Sequence, residues 1–296
     1  MEKKQNVIIE DVVNVSNIID NIDMIHEVIH LNTLYPLKND PILEIYKMDY
    51  TDAPSEPKRR AILTLPGGGY YFCSKREKDA ICLKFNLLGY VSFSLIYSTT
   101  DRYQSPLYPE PLLETMAAVS FIKRNADKYN IDADKITLIG FSAGGHLASS
   151  YPLVCNDENL KASLNLNENL NVESLILSYS VISLLDFTHL DSSKNLTGED
   201  KELKVKLSAN ISMDDDYPRS FIWETEKDDC VHVENSNMIA EALRKHNIEH
   251  QLVLFKEGPH GLSLATYPLN EWLNHKYENE ISVWPLLADK FIRKND

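Results

Sequence analysis

The sequence predicts an α/β fold: a mostly parallel central sheet flanked by helices, carrying a small cap insertion. Three observations point there. From about residue 43, short apolar runs alternate with longer amphipathic ones, the rhythm of strands feeding helices around a parallel sheet. The segment Gly140-Phe141-Ser142-Ala143-Gly144-Gly145 stands between an apolar run and a helical pattern, as a tight strand-to-helix turn does. Residues 185 to 218 break the rhythm with Asp-, Ser- and Lys-rich sequence and only modest helical runs, an excursion placed to cover a pocket.

The elements follow in chain order. Strands are expected at Ile42 to Met48, Ala61 to Leu65, Val91 to Tyr97, Ile136 to Ile139, Ser174 to Tyr179, Phe221 to Glu224 and Gln251 to Phe255. Between them, residues 75 to 88 place Ile81, Phe85 and Leu88 on one helical face, and residues 110 to 126 do the same with Leu113, Met116, Ala117 and Phe121. Asn235 to Lys245 gathers Met238, Ile239, Ala242 and Leu243, and ends in basic residues that suit the negative end of a helix dipole. Residues 1–40 read as an N-terminal extension packed on the outside. There Ile18, Ile19, Ile22, Ile25 and Ile29 have helical spacing and no evident place in the sheet. Three glycine-bearing sites span residues 67 to 261, so one domain, 41–296, must hold them together, with the cap inserted at about 185–218.

Bulk properties narrow the partners. A hydrophobic fraction of 43% is enough for a large core and argues against disorder. A formal charge of −14 opposes nucleic acid and anionic membrane surfaces, leaving small neutral molecules as the natural substrates. The apolar run near the N-terminus stops at Glu10 and Asp11, shorter than a signal-peptide core, and no stretch is long and apolar enough to span a bilayer. Four cysteines without a CxxC pair suit a reducing compartment, so a cytoplasmic protein is expected; homo-oligomerisation stays open.

The chemistry concentrates at three loops. Ser142, flanked by Gly140 and Gly144, has the pattern of a nucleophile held on a sharp turn, where side chains two positions away would collide. The helix that follows points its free N–H groups at the same place, favourably for a developing oxyanion. A serine hydroxyl needs a base, and the base needs a third group to fix its tautomer. His260, in Gly258-Pro259-His260-Gly261 directly after a strand, is the candidate base; His146 lies on the helix running away from the turn and reads as a packing residue. The carboxylate belongs between serine and histidine in chain order, where Asp228 and Asp229 both fit. Gly67-Gly68-Gly69, straight after a strand, can turn bare amides toward an oxyanion. It has no GxGxxG and no following Gly-Lys-Ser/Thr, so nucleotide binding is a poor fit. His26-Glu27-Val28-Ile29-His30 matches HExxH, yet too little chain precedes it and no further histidine motif completes a zinc site, so no metal is expected.

These residues together resemble the α/β-hydrolase esterases of the acetyl-esterase and acetylxylan-esterase-like group, related to the hormone-sensitive-lipase and prolyl-oligopeptidase branches. The resemblance covers roughly residues 43 to 292. It rests on Leu65-Pro66-Gly67-Gly68-Gly69-Tyr70, Gly140 to His146, Asp228-Asp229-Cys230-Val231-His232 with Asn235-Ser236, and Gly258 to Gly261. It implies an α/β-hydrolase fold, Ser142 as nucleophile, His260 as base, Asp228 as its orienting acid, and oxyanion donors at the amides of Gly68, Gly69 and Ala143. It also implies hydrolysis of short acyl esters, acetyl groups on carbohydrate included, without a cofactor. Tyr70, Tyr71 or Trp223 are then available as apolar or sugar-stacking walls. Pro66 departs from lipase-like relatives, which carry histidine before the three glycines, and moves the chain toward the sugar-esterase side. A peptidase of related fold and a non-catalytic hydrolase-fold binding protein are the alternatives.

Overall fold

A computed structural model describes residues 23–49, 57–266 and 278–296. Its centre is one eight-stranded sheet in the order β1-β2-β4-β3-β5-β6-β7-β8. The strands are β1 (Asp23–His30), β2 (Ile42–Asp49), β3 (Arg59–Leu65), β4 (Val91–Ile96), β5 (Ile131–Phe141), β6 (Ser174–Ser178), β7 (Arg219–Thr225) and β8 (His250–Phe255). Pairing from β4 through β8 is parallel, and β2 runs antiparallel to both β1 and β4.

The expected parallel sheet with flanking helices is what forms, because the central strands are apolar on both faces. All seven residues of β3 are buried. Their alternation divides the core: Ala61, Leu63 and Leu65 join one apolar cluster, while Ile62 joins the other on the opposite face. On the first face lie α2 (Glu110–Arg124) and α7 (Glu234–Lys245), through side chains such as Met116, Ile122, Ile239 and Leu243. On the second lie α1 (Asp79–Leu87) and α8 (Trp284–Ile292), through Ile81, Phe85, Trp284 and Phe291. Helix α3 (Ala143–Ser150) follows β5 and is buried along its whole length. Between β6 and β7 the excursion folds into three short helices, α4 (Leu190–Thr197), α5 (Lys201–Lys206) and α6 (Ala209–Ser212). Among the described residues no helix is long and apolar enough to cross a membrane.

The N-terminal reading needs correction over residues 23–30. They form strand β1 at the sheet edge, antiparallel to β2 from Asp23↔Asp49 to His30↔Ile42. Ile25 and Ile29 are four apart, a spacing that serves a helix and a strand equally; burial alternates with period two from Ile25 to His30, and pairing with β2 decides the matter. Ile18, Ile19 and Ile22 lie outside the described residues. The HExxH match therefore sits in a strand, where residues four apart are roughly 13 Å distant and cannot share one ion. His30 is bound instead to Asp40 at 2.9 Å, and the His26 ring packs on Tyr46.

The pairing register brings the functional loops together. Leu65 is opposite Gly140, Phe141 opposite Ser178, Ser178 opposite Trp223, and Thr225 opposite Phe255. The carboxyl ends of β3, β5, β6, β7 and β8 are thus level, so the loops leaving them meet at one edge of the sheet.

Candidate active site

Ser142 sits at the turn from β5 into α3 with φ 52° and ψ −118°, a strained conformation for a residue with a side chain. The turn is so tight that a Cβ on Gly144 would lie 2.1 Å from the Leu65 carbonyl oxygen, and one on Gly140 2.3 Å from the Gly144 oxygen. The Ser142 amide donates to the Ser178 carbonyl at 3.0 Å, which anchors the turn to β6.

Two side chains line up behind this serine. His260 Nε2 is 2.8 Å from Ser142 Oγ, and His260 Nδ1 is 2.7 Å from Asp228 Oδ2. The Asp228 side chain is only 1% exposed, and its other oxygen accepts the backbone N–H groups of Cys230 and Val231 at 2.8 and 2.7 Å. Those bonds fix the direction in which the carboxylate points. Asp229 points elsewhere: its Oδ1 accepts the backbone N–H of His260 at 3.0 Å, so it fastens the histidine loop without touching the ring. Of the two aspartates left open by the residue pattern, Asp228 is the one that meets the imidazole.

The three amides singled out beforehand share one construction. In a planar trans peptide, C=O and the next N–H point in opposite directions. The Gly67 carbonyl accepts Ser74 N–H at 2.9 Å; that of Gly68 accepts Tyr71 N–H at 2.9 Å and Phe72 N–H at 3.2 Å. The Ser142 carbonyl accepts His146 N–H at 3.2 Å and Val181 N–H at 3.1 Å. Each bond holds a peptide plane from its carbonyl side, so the amides of Gly68, Gly69 and Ala143 turn the other way. Gly68 at φ 127° could not carry a side chain: a Cβ there would stand 2.1 Å from the Phe72 oxygen.

Ser142, His260, Gly68 and Gly69 line a cleft of about 480 Å³, together with Tyr71. Two of the proposed wall residues are absent from it. Tyr70 is fully buried, and its hydroxyl bonds His146 Nδ1 at 2.8 Å. Trp223 is fully buried too, stacked on Trp284 and donating to Ser178 Oγ at 2.7 Å, because strand alternation turns it into the second core. The neighbours of Tyr70 take the exposed position instead: Tyr71 and Phe72, edge to face, are 58% and 48% exposed.

His146 is, as its place on α3 suggests, a packing residue with no exposure. Nε2 donates to the Leu207 carbonyl, Nδ1 accepts from Tyr70, and burial pushes its pKa down to about 4.

The residue pattern missed several cleft residues. Arg76 and Glu77 follow the glycine loop, and His189, Asp191 and Asn195 come from the excursion. Asn195 Nδ2 donates to the Gly69 carbonyl at 2.9 Å. His189 Nδ1 accepts the backbone N–H of Ser192 at the start of α4, which leaves its proton on Nε2. Burial holds the His189 pKa below its ordinary value; Asp191 opposes that and His260 adds to it. Polar composition flagged this excursion as a cover, but which of its side chains turn inward depends on how α4 docks.

Comparison with known proteins places these features. The BD-FAE family model matches residues 43–243. The chain is 37% identical over 227 residues to endo-1,4-beta-xylanase B of Butyrivibrio fibrisolvens, covering 75% of this chain and 36% of that protein. It spans between a quarter and just over a third of the length of the first three curated relatives it matches. Among solved structures, an acetyl ester-xyloside bifunctional hydrolase from Caldicellulosiruptor lactoaceticus is 32% identical with a TM-score of 0.71, covering 88% of this chain and 89% of that one. An alpha/beta hydrolase enzyme from a Medee basin deep-sea metagenome library is 30% identical with a TM-score of 0.72, covering 92% and 97%. With a family model matched over more than half its length and this fold, the chain belongs to the BD-FAE family of α/β hydrolases.

Proposed function

We propose that this chain is a serine carboxylesterase acting on short acyl esters, acetyl groups on carbohydrate among them. The observation that carries the reading is the unbroken line from Ser142 Oγ to His260 Nε2 at 2.8 Å and from His260 Nδ1 to Asp228 Oδ2 at 2.7 Å. In the first half-reaction Ser142 Oγ attacks the acyl carbonyl carbon as its proton passes to His260 Nε2. The carbonyl oxygen gains the negative charge and takes hydrogen bonds from the amides of Gly68, Gly69 and Ala143. Collapse of the tetrahedral species breaks the bond to the alkoxy oxygen, which leaves as the alcohol with the proton from His260. A water molecule then attacks the acyl-serine, giving its proton to His260. Collapse of this second tetrahedral species breaks the bond between the acyl carbon and Ser142 Oγ, which takes the proton back from His260 Nε2 as the carboxylic acid leaves. Throughout, Asp228 keeps the Nδ1–H tautomer and stabilises the transient imidazolium.

Substrate choice rests on two supports. The cleft of about 480 Å³ suits a small acyl group, and Tyr71 and Phe72 offer exposed rings at its rim for a sugar face. The 32% identical structural neighbour is described as acting on acetyl esters and xylosides. Four cysteines are free thiols, which fits work in the cytoplasm. The test is hydrolysis of p-nitrophenyl acetate and of acetylated xylose by the wild type and Ser142→Ala, with a fluorophosphonate label on Ser142. Loss of hydrolysis and labelling in the variant is expected, and retention rejects the reading. Dipeptide amides in the same assay test for peptidase action, and a wild type inert to every substrate would point to a binding protein.

A further inference from the structure

We propose that Glu77 is a positioning residue: its buried carboxylate couples the glycine loop to the His260 loop through Tyr179, and thereby sets kcat rather than substrate affinity. This rests on the esterase reading above and concerns a group that the reaction itself leaves unused.

Glu77 is 3% exposed, though it lies against the cleft. Both oxygens are engaged. Oε2 accepts the Gly67 amide at 2.8 Å, and Oε1 accepts the Tyr179 hydroxyl at 2.7 Å. That hydroxyl oxygen in turn accepts the backbone N–H of Ser263 at 2.9 Å, three residues past His260. The circuit closes where Ser263 Oγ donates to the Arg76 carbonyl at 2.5 Å, next door to Glu77. Tyr179 also presents its ring to His260, edge to face with centroids 5.0 Å apart. Gly67 is packed against the nucleophile, since a Cβ there would lie 2.9 Å from Ser142 Cβ and 2.9 Å from Glu77 Oε2. One carboxylate therefore fixes both the start of the loop bearing the Gly68 and Gly69 amides and the back of the loop bearing the base. Tyr179 and Ser263 have φ of 38° and 54°, strained conformations that surrounding bonds must hold.

The consequence is kinetic. Oxyanion donors act fully only when charge develops in the transition state, so loosening their loop lowers kcat while the ground-state complex is little changed. Misplacement on the scale of an ångström costs about 100-fold.

Glu77→Gln is a sharp probe because it keeps size and burial. A carboxylate accepts from both Gly67 N–H and Tyr179 O–H, whereas an amide must turn its NH2 toward one of those donors. Tyr179→Phe cuts the link from the other side and carries the test alone should Glu77→Gln fail to fold. The experiment measures kcat and KM for p-nitrophenyl acetate per active site titrated with fluorophosphonate, alongside the melting temperature, for both variants and the double variant. The expected result is a fall in kcat per titrated site of roughly 10- to 100-fold, KM within about two-fold of wild type, and a double variant no worse than the poorer single. A kcat per titrated site within about two-fold of wild type, with only the melting temperature or titratable fraction lowered, overturns the proposal. Losses that multiply in the double variant overturn the link through Tyr179. A wild type that neither labels at Ser142 nor hydrolyses the ester rejects the esterase reading itself, whereas a labelled wild type with unaltered variants rejects only this coupling.

Discussion

Replacing Asp228 with asparagine preserves shape and inverts a hydrogen bond. Asp228 Oδ1 accepts two backbone amides, from Cys230 and Val231, so the asparagine carbonyl must take that place. Its NH2 group then faces His260 Nδ1, now as a donor across the 2.7 Å contact that the carboxylate had accepted. The imidazole must answer with a lone pair on Nδ1 and its proton on Nε2. Nε2 stands 2.8 Å from Ser142 Oγ, and a protonated Nε2 cannot accept the serine proton. Wrong-tautomer substitutions of this kind reduce kcat by about 10⁴, which corresponds to roughly 5.5 kcal/mol of transition-state stabilisation. The substitution leaves the fold intact, so fluorescence and melting curves should match wild type. Asp229→Asn is the control: its amide oxygen can still accept the His260 backbone N–H, and kcat should stay within about ten-fold. Initial rates with p-nitrophenyl acetate between pH 6 and 9 measure both. An Asp228→Asn enzyme within ten-fold of wild type, or an Asp229→Asn enzyme that is the poorer of the two, refutes the assignment of the carboxylate.

Three further outcomes are expected. Gly144→Ala forces a Cβ to 2.1 Å from the Leu65 oxygen and 2.4 Å from that of Pro66, both backbone atoms, so denaturant unfolding should show a loss of about 3 kcal/mol or more. His146, with its pKa held near 4 in the fold against 6.5 unfolded, binds fewer protons in the native state between those values; its contribution is complete above about pH 6.5 and fades as pH falls toward 4. The span is worth about 3 kcal/mol, so unfolding free energies at pH 7 and 4.5 should fall less steeply for His146→Gln than for wild type. His26→Ala with His30→Ala should leave ester hydrolysis unchanged, with or without a chelator, because the two residues lie in strand β1; loss of activity with release of a metal ion, seen by atomic emission, would restore the metal reading.

Much of this was legible in the sequence because it is local chemistry. Short apolar runs between amphipathic stretches mark the strands from β2 to β8, and the glycines at 140 and 144 are demanded by a turn that no larger residue can make. The order serine, aspartate, histidine, together with the polar turn after the strand at Phe221 to Glu224, points to two neighbouring acids. Residues 23–30 were misread because a four-residue spacing satisfies both periods, and only a partner strand separates them.

What tertiary structure alone decided is direction. Asp228 and Asp229 are adjacent and chemically alike, yet two backbone amides aim one at the imidazole while the other holds a main-chain N–H. Tyr70 and Tyr71 are adjacent as well; one is buried on His146, and the other faces the cleft. Glu77 comes from the connection after β3, and Tyr179, His189 and Asn195 from the connection between β6 and β7; they meet at the site only because parallel pairing sets the strand ends level. Residue type and spacing state which chemistry a segment can perform; the side to which each group turns is fixed by pairing and packing between segments far apart in the chain.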